Sequence, residues 1–455
     1  MKHWTAQQVA DAAGATLISA PWDDRGPTTA TVDSRQTGDG SLFVGLTGVN
    51  ADGGQFASAA LGKGAWGVLV TPQHAQHAAV AGTGAVLAAA DPLGGLQRLA
   101  TAWRRELGQG GARVIGVTGS TGKTSTKDLL LAVLGPHRRT VASRANFNTE
   151  IGLPLEILNA PAETEVLVLE MGMRGAGQIA ELARIAEPDV GVIVSIGPVH
   201  LELLGSIEAI AAAKAELIGG LPGGGTAVIP ADEPLLEPHL RDDVTIVTFG
   251  EGGDVRLVAG DEHHVEVAVA GERMSLEVPF TQAHQRSNLL AAVAAAMAVG
   301  VTPAGRVEPT LTSGRGQRRE LPGGLTVIDD CYNANPMSML AALSDLQSAT
   351  AARTGTRRIA VLGDMLELGP REREFHAELG AQAAAAGVDV LVTVGPLAAA
   401  GAERFGGESH SVADAGEAAA LVPGLLQPGD VVLVKGSRGV GLELVCTALG
   451  ARDNT

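Results

Sequence analysis

Short unbroken apolar runs alternate along this chain with longer stretches in which apolar residues recur every three or four positions. That alternation predicts strands and helices in turn. The opening segment MKHWTAQQVADAAG reads as an amphipathic helix with Thr5 as its N-cap and Gln8, three residues on, as the capping-box partner. A strand is expected at 41–46 after the turn-rich 37–40, and a second at 66–70 after a helix-like stretch at 55–61. A new block begins near Asp91, where Leu93, Leu96, Leu99 and Trp103 share a helical face and lead to a strand at 114–118. Further apolar runs stand at 166–169, 190–196 and 226–229. Residues 255–278 alternate apolar and polar side chains, the pattern of a small antiparallel addition. A third block begins near Gly314 with strands at 325–328, 359–362, 390–394 and 431–434.

Strands that alternate with helices imply parallel sheets covered on both faces. The fold class expected is therefore α/β in three domains. These are a small N-terminal α/β module over 1–90, a central parallel sheet with a phosphate loop over 91–313, and a C-terminal Rossmann-like, doubly wound domain over 314–455. No repeat period suggests a solenoid, and GGLPGGG at 219–225 reads as a loop.

Composition narrows the chemistry. Hydrophobic residues make up 45% of the 455 and charged residues 18%, enough for packed cores. A net charge of −17 argues against a nucleic-acid groove, and 3% aromatic residues leave few platforms for stacking bases. The two cysteines, Cys331 and Cys446, have neither zinc-site spacing nor the number for a disulfide framework. The N-terminal segment has no apolar core of the secretory kind, and the longest apolar run, 289–299, falls short of the ~20 residues that span a bilayer. A soluble cytoplasmic protein with no membrane insertion and no nucleic-acid partner is expected.

The chemistry concentrates after the strand at 114–118. Gly119, Ser120, Thr121, Gly122, Lys123, Thr124 and Ser125 follow it, and a helix begins there. Glycines let backbone N–H groups wrap phosphate oxygens, and the helix N-terminus adds positive potential. Lys123 is placed to reach the β/γ-phosphates, and Thr124 offers a hydroxyl to Mg²⁺. The glycine spacing is shorter than in the usual phosphate loop, with two residues between Gly119 and Gly122. Glu170 ends the strand at 166–169, where a carboxylate can hold Mg²⁺ beside such a loop. Over 206–219, Ile207, Ile210, Ala211 and Ile218 form one helical stripe with Lys214 in its middle. An ammonium there must snorkel, pair with a carboxylate, or give up its proton to burial. His200 and Glu202 lie just after the neighbouring strand.

Several segments together resemble the Mur ligase family over nearly the whole chain. They are DSRQTGDGSLFVGLTG at 33–48, VTGSTGKTS at 117–125, NFNTEIGLPLEIL at 146–158, SIGPVHLELLGSIEAIAAAKAEL at 195–217 and AHQRSN at 283–288. IDDCYNANPMSM at 328–339, VLGDMLELG at 361–369 and VKGSRGVGLE at 434–443 resemble the family's D-alanyl-D-alanine-adding branch in particular. The resemblance implies that Lys123 and Thr124 hold ATP phosphate and Mg²⁺, that Glu170 and His200 are metal ligands, and that Lys214 carries a carbamate facing a second Mg²⁺. It implies nucleotide contacts from Asn288, Asp330, Asn333 and Asn335, and an arginine, Arg318, that reaches the γ-phosphate. It also implies contacts to a UDP-muramoyl substrate from Ser34, Arg35, Asn146, Asn148 and Thr149, the first module being the UDP-binding one. Thr47, Val49, Ser195 and Pro230 depart from the family's common residues, and none is assigned to chemistry.

The activity so implied is ATP-dependent amide formation between a UDP-N-acetylmuramoyl-tripeptide and D-alanyl-D-alanine through an acyl phosphate, by a monomer whose domains close on the substrates. The DDCYNANP stretch argues against a sibling ligase with another donor and against a folylpolyglutamate synthetase-like enzyme. The retained Lys123, Thr124, Glu170, His200 and Lys214 argue against an inert scaffold. A nucleotide-hydrolysing switch is the rival from another class, separable by whether phosphate release needs both acceptor and donor.

Overall fold

The computed structural model describes residues 1, 3–20, 25–48, 51–81, 84–144, 146–199, 201–310, 312–351 and 355–452. Their strands form three sheets in sequence. The first contains Thr16–Ser19 (β1), Thr29–Thr31 (β2), Ser41–Val44 (β3), Gly67–Val70 (β4) and Ala85–Ala88 (β5), in the order β1-β5-β4-β3-β2. Only β1 runs antiparallel to its neighbour. The helix Ala6–Ala13 that precedes it has the Thr5–Gln8 capping box expected from sequence.

The second sheet has ten strands. Arg113–Thr118 (β6), Thr140–Ala142 (β7), Val166–Glu170 (β8), Val190–Ile193 (β9), Thr226–Pro230 (β10) and Thr245–Phe249 (β11) are its parallel body. Val255–Gly260 (β12), His264–Val269 (β13) and Glu272–Glu277 (β14) form the antiparallel meander that the alternation at 255–278 announced, and Gly305–Arg306 (β15) closes that edge. In the order β11-β10-β9-β6-β8-β7, β6 stands where connections leave in both directions. A crevice opens at such a point, outside the carboxyl ends of the strands.

The third sheet contains Gln317–Leu321 (β16), Leu325–Asp329 (β17), Arg358–Gly363 (β18), Val390–Val394 (β19), Glu408–Val412 (β20) and Val431–Lys435 (β21), in the order β16-β17-β21-β18-β19-β20. All pairings but β16 with β17 are parallel. Short or half-exposed edge strands such as β2, β7, β16 and β20 carry too few apolar residues to stand out in the sequence, and none was expected from it.

Every residue of β8, β9, β19 and β21 is buried, as strands covered on both faces require. The helix Pro92–Gln109 joins the first two sheets. Asp91 caps it by accepting from the Gly94 N–H at 3.0 Å, Leu96, Leu99, Trp103 and Leu107 are buried, and Trp103 donates from Nε1 to the Ala160 carbonyl at 3.1 Å. Trp4 packs edge-on against Trp103, so one apolar core runs from the N-terminal module into the central one. Among the described residues no helix is long and apolar enough to cross a membrane.

Candidate active site

The loop after β6 is fastened on both sides. Ser120 donates from Oγ to the Gly197 carbonyl at 3.0 Å and accepts from the Gly197 N–H at 2.9 Å. The Thr121 N–H donates to Ser195 Oγ at 2.9 Å. Ser195, one of the departures from the family pattern, is thus a strut of the loop. Gly122 has φ +81°, and a Cβ there would fall 2.6 Å from Asn288 Oδ1 and 2.8 Å from Val194 Cγ1. Both the backbone conformation and the space demand glycine.

The helix Lys123–Leu134 begins at this turn. Lys123 donates from Nζ to the Gly119 carbonyl at 2.7 Å, which curls its side chain back over the loop. Burial pushes its ammonium pKa down and Arg315 adds to that, while the Glu170 carboxylate opposes it. Thr124 donates from Oγ1 to Glu170 Oε2 at 2.9 Å, and Asn148 donates from Nδ2 to Glu170 Oε1 at 2.8 Å. Glu170 is only 3% exposed, so this carboxylate is held by two neutral groups inside the protein. A buried carboxylate beside a threonine hydroxyl at the phosphate loop is a hard-oxygen donor pair, and it fits Mg²⁺.

Lys214 lies on the helix Ile207–Gly219, whose N-cap Ser206 accepts from the Ala209 N–H at 3.2 Å. It is 2% exposed, and no salt bridge joins it to any described residue. Desolvation, with the Lys123 charge adding to it, drives its ammonium pKa well below the ordinary lysine value. Of the three outcomes open to a lysine on that stripe, snorkelling to solvent and pairing with a described carboxylate are both absent.

A cavity of about 1200 Å³ spreads from the phosphate loop, Asn148 and Glu170 to the third sheet, and Lys214 is not among the residues that line it. Asn146, Asn148, Thr149 and Arg174 line it, Asn288 lies against Gly122 of the loop, and His284 lies near the charges of Asp345, Asp330 and Lys435. Asp330, Asn333 and Asn335 face them from beyond β17. Asp330 is held by Lys435, Nζ to Oδ2 at 2.7 Å, and the same Nζ donates to the Asn333 carbonyl at 3.0 Å. Asn335 caps the helix Pro336–Thr350 by accepting from the Ser338 N–H at 2.9 Å.

Comparison with known proteins agrees with this geometry. Residues 117–296 match the Mur ligase middle domain and 314–438 the Mur ligase glutamate ligase domain. A UDP-N-acetylmuramoyl-tripeptide--D-alanyl-D-alanine ligase of Bacillus subtilis is 37% identical over 96% of each chain. This chain belongs to the Mur ligase family. Among solved structures, MurF from Acinetobacter baumannii superposes with a TM-score of 0.86 at 28% identity, covering 99% of each chain. The MurF ligase of Thermotoga maritima in complex with ADP gives 0.78 at 30% identity over 93% of this chain and 97% of that one. The three-domain Mur ligase fold is therefore that of this chain.

Within this Mur ligase, Gly119 closes the end of β6, while Ser120 to Ser125, Asn146, Asn148, Thr149, Glu170, Asn288, Asp330, Asn333 and Asn335 share the cavity. His200 lies outside the described residues. Ser34 and Arg35 stand apart in the N-terminal module. Arg35 forks onto its neighbour Asp33, with Nη2 to Oδ2 at 2.8 Å, and holds that carboxyl at about 2; the Ser34 carbonyl accepts from Lys63 at 2.9 Å.

Arg318 requires a correction. It sits on β16, pairs with the buried Asp345, and does not line the cavity. The arginine that crosses to the loop is Arg315, which donates from Nη2 to Thr124 Oγ1 at 3.1 Å. Alternation puts successive strand residues on opposite faces, but Arg315 precedes β16 altogether, in the Gly314–Gly316 turn, and its reach comes from that turn. Its Nε is buried without a hydrogen-bond partner among the described residues, a donor left for an anion. Tyr332, Lys435 and Arg174 also escaped the sequence reading. Only Arg315 left a signal there, its place between two glycines in SGRGQRRE.

Proposed function

We propose that this Mur ligase joins D-alanyl-D-alanine to UDP-N-acetylmuramoyl-tripeptide at the expense of ATP, giving UDP-N-acetylmuramoyl-pentapeptide, ADP and phosphate. The observation that carries this reading is the single cavity in which the phosphate loop, the 146–149 segment and the 330–335 segment meet. A nucleotide held by the loop there has an acceptor on one side and a donor on the other.

The acceptor carboxylate attacks the γ-phosphorus, and ADP leaves. The donor amine, freed of its proton, then attacks the carbonyl carbon of the acyl phosphate, and phosphate leaves as the amide forms. The first step brings an anion to a polyanion, so positioning and charge compensation dominate. The loop N–H groups and the N-terminus of helix Lys123–Leu134 face the phosphates, Lys123 and Arg315 supply cationic donors, and Asn148 orients Glu170. Thr124 and Glu170 would hold a Mg²⁺ ion, which when bound neutralises phosphate charge. The lowered pKa of Lys214 favours the neutral amine, the form that adds CO₂ with loss of a proton, and the resulting carbamate would place an anion on the apolar stripe. Cavity walls drawn from the central and C-terminal sheets support closure of the domains over the acyl phosphate. A cytoplasmic monomer accords with this role.

The test is an incubation of the protein with ATP, Mg²⁺, D-alanyl-D-alanine and a panel of UDP-muramoyl peptides, with products identified by mass. Amide product and phosphate release that both require acceptor and donor are expected. Phosphate release indifferent to both substrates would leave a nucleotide hydrolase instead.

A further inference from the structure

The two cysteines of the chain, far apart in sequence, meet behind the nucleotide side of the cavity. Cys331 follows β17 and Cys446 lies on the short helix Glu443–Ala448; they are 2% and 0% exposed. Their Sγ atoms and a carboxylate oxygen of Asp329 all lie within 4.8 Å of one another. The Cys331 thiol donates to Asp329 Oδ1 at 3.1 Å. Arg452, at the C-terminal end of the described chain, forks onto Asp329 at 2.5 and 2.9 Å and donates from Nη2 to Cys331 Sγ at 3.4 Å.

The same three groups could be taken for a metal site. Arg452 argues against that, since its guanidinium already occupies both oxygens of Asp329 and brings a positive charge to the place a cation would fill. The paired thiols remain as the reactive element. In a protein without a disulfide framework, a proximal thiol pair suits reversible oxidation.

We propose that Cys331 and Cys446 form a thiol modification site that low-molecular-weight disulfides close to an intramolecular disulfide, and that closure weakens the nucleotide side of the active site. When helix Glu443–Ala448 loosens, one protein thiol loses its proton and attacks the small disulfide, which expels one small thiolate. The second protein thiolate then attacks the mixed disulfide and expels the other. Two protein thiols become one disulfide, and the small disulfide is reduced to two thiols. The hydrogen bond that the Cys446 thiol gives to Cys331, together with burial, pushes the Cys446 pKa up, so this thiol reacts only on opening.

The path to the active site is short. A disulfide needs sulfurs about 2.05 Å apart, so closure takes Cys331 away from Asp329. The next residue, Tyr332, donates its N–H to the Gly314 carbonyl at 3.1 Å and carries Arg315 4.1 Å above its ring. The residue before, Asp330, is the partner of Lys435. Displacing Cys331 therefore disturbs both supports of the nucleotide wall.

The experiment treats the folded full-length protein with graded mixtures of oxidised and reduced glutathione, quenches with an alkylating agent, and measures intact mass. Loss of two hydrogens with no alkylation is expected, and Cys446→Ser should instead stop at a glutathione adduct or remain unmodified. Wild type that yields only adducts or free thiols would overturn the site. The activity clause rests on the ligase reading: turnover should fall ~10- to 100-fold on oxidation, return with dithiothreitol, and stay unchanged in the oxidant-treated Cys446→Ser protein whose mass shows no adduct. A disulfide that leaves turnover intact overturns that clause. Because the mass measurement does not depend on turnover, failure of the ligase reading is distinguished from failure of the thiol site.

Discussion

Arg315 of the C-terminal segment and Thr124 of the phosphate loop are joined by a 3.1 Å hydrogen bond across the cavity, while Tyr332 supports the guanidinium from below at 4.1 Å. This contact links two sheets at the hydroxyl proposed for Mg²⁺, and it separates the surroundings of two nearby arginines.

Arg315→Ala is expected to lower turnover by roughly 10²–10³-fold, the loss typical of a preorganised donor facing developing charge, with thermal stability little changed. Arg318→Ala should do the reverse. It strands the buried Asp345 carboxylate, at a cost of about 1–3 kcal/mol, and leaves turnover within a few-fold. Steady-state kinetics and thermal melts on both variants decide the matter; equal loss of turnover would restore Arg318 to the site.

Lys123→Ala should cut turnover by at least ~10²-fold while leaving the melting curve near wild type. The lysine's hydrogen bond is to a loop carbonyl that the helix turn already positions. A variant that turns over normally with normal ATP affinity removes Lys123 from the chemistry.

At Lys214, charge is the discriminating variable. If the neutral amine becomes a carbamate, Lys214→Arg is nearly inactive although it keeps the positive charge. Lys214→Ala then regains part of its activity with small carboxylates, and removal of CO₂ and bicarbonate lowers wild-type turnover reversibly. Retained activity in Lys214→Arg together with no rescue of Lys214→Ala excludes the carbamate.

Gly197 tests closure. Its φ is not in the left-handed region, so conformation does not demand glycine; a Cβ there would run into the Met337 side chain, carried by the C-terminal sheet's helix Pro336–Thr350. Met337 is flexible enough to yield to a methyl group. Gly197→Ala should therefore be mild, and Gly197→Val should lose turnover by about tenfold or more, since small misplacements between domains are costly. Small-angle scattering with a non-hydrolysable nucleotide and the UDP-substrate should show compaction in wild type and less in Gly197→Val; compaction equal to wild type breaks the link between this contact and closure.

Local order was readable in the chain because it depends on near neighbours. The capping box at Thr5 and Gln8, the buried strands β8, β19 and β21, and the glycine turn before Lys123 all arise from side chains and backbone a few residues apart. The likeness of whole segments to the Mur ligases likewise needed only the order of residues. The edge strands β2, β7, β16 and β20 did not show, because an edge is defined by its partner strand and carries little apolar signal of its own.

The choice between Arg315 and Arg318 belonged to tertiary structure. The arginines stand three residues apart, and only the Gly314–Gly316 turn and the packing of Tyr332 send one to Thr124 and leave the other on Asp345. Lys214 shows the same division. Its place on an apolar stripe was visible in sequence, but whether it snorkels, pairs or loses its proton depends on what surrounds the stripe. The fold buries it near the Lys123 charge, and desolvation and that charge together lower its ammonium pKa. The meeting of Cys331 with Cys446 is the extreme case, since no local rule relates two residues so distant in the chain. Only the packing of a C-terminal helix behind β17 brings them together.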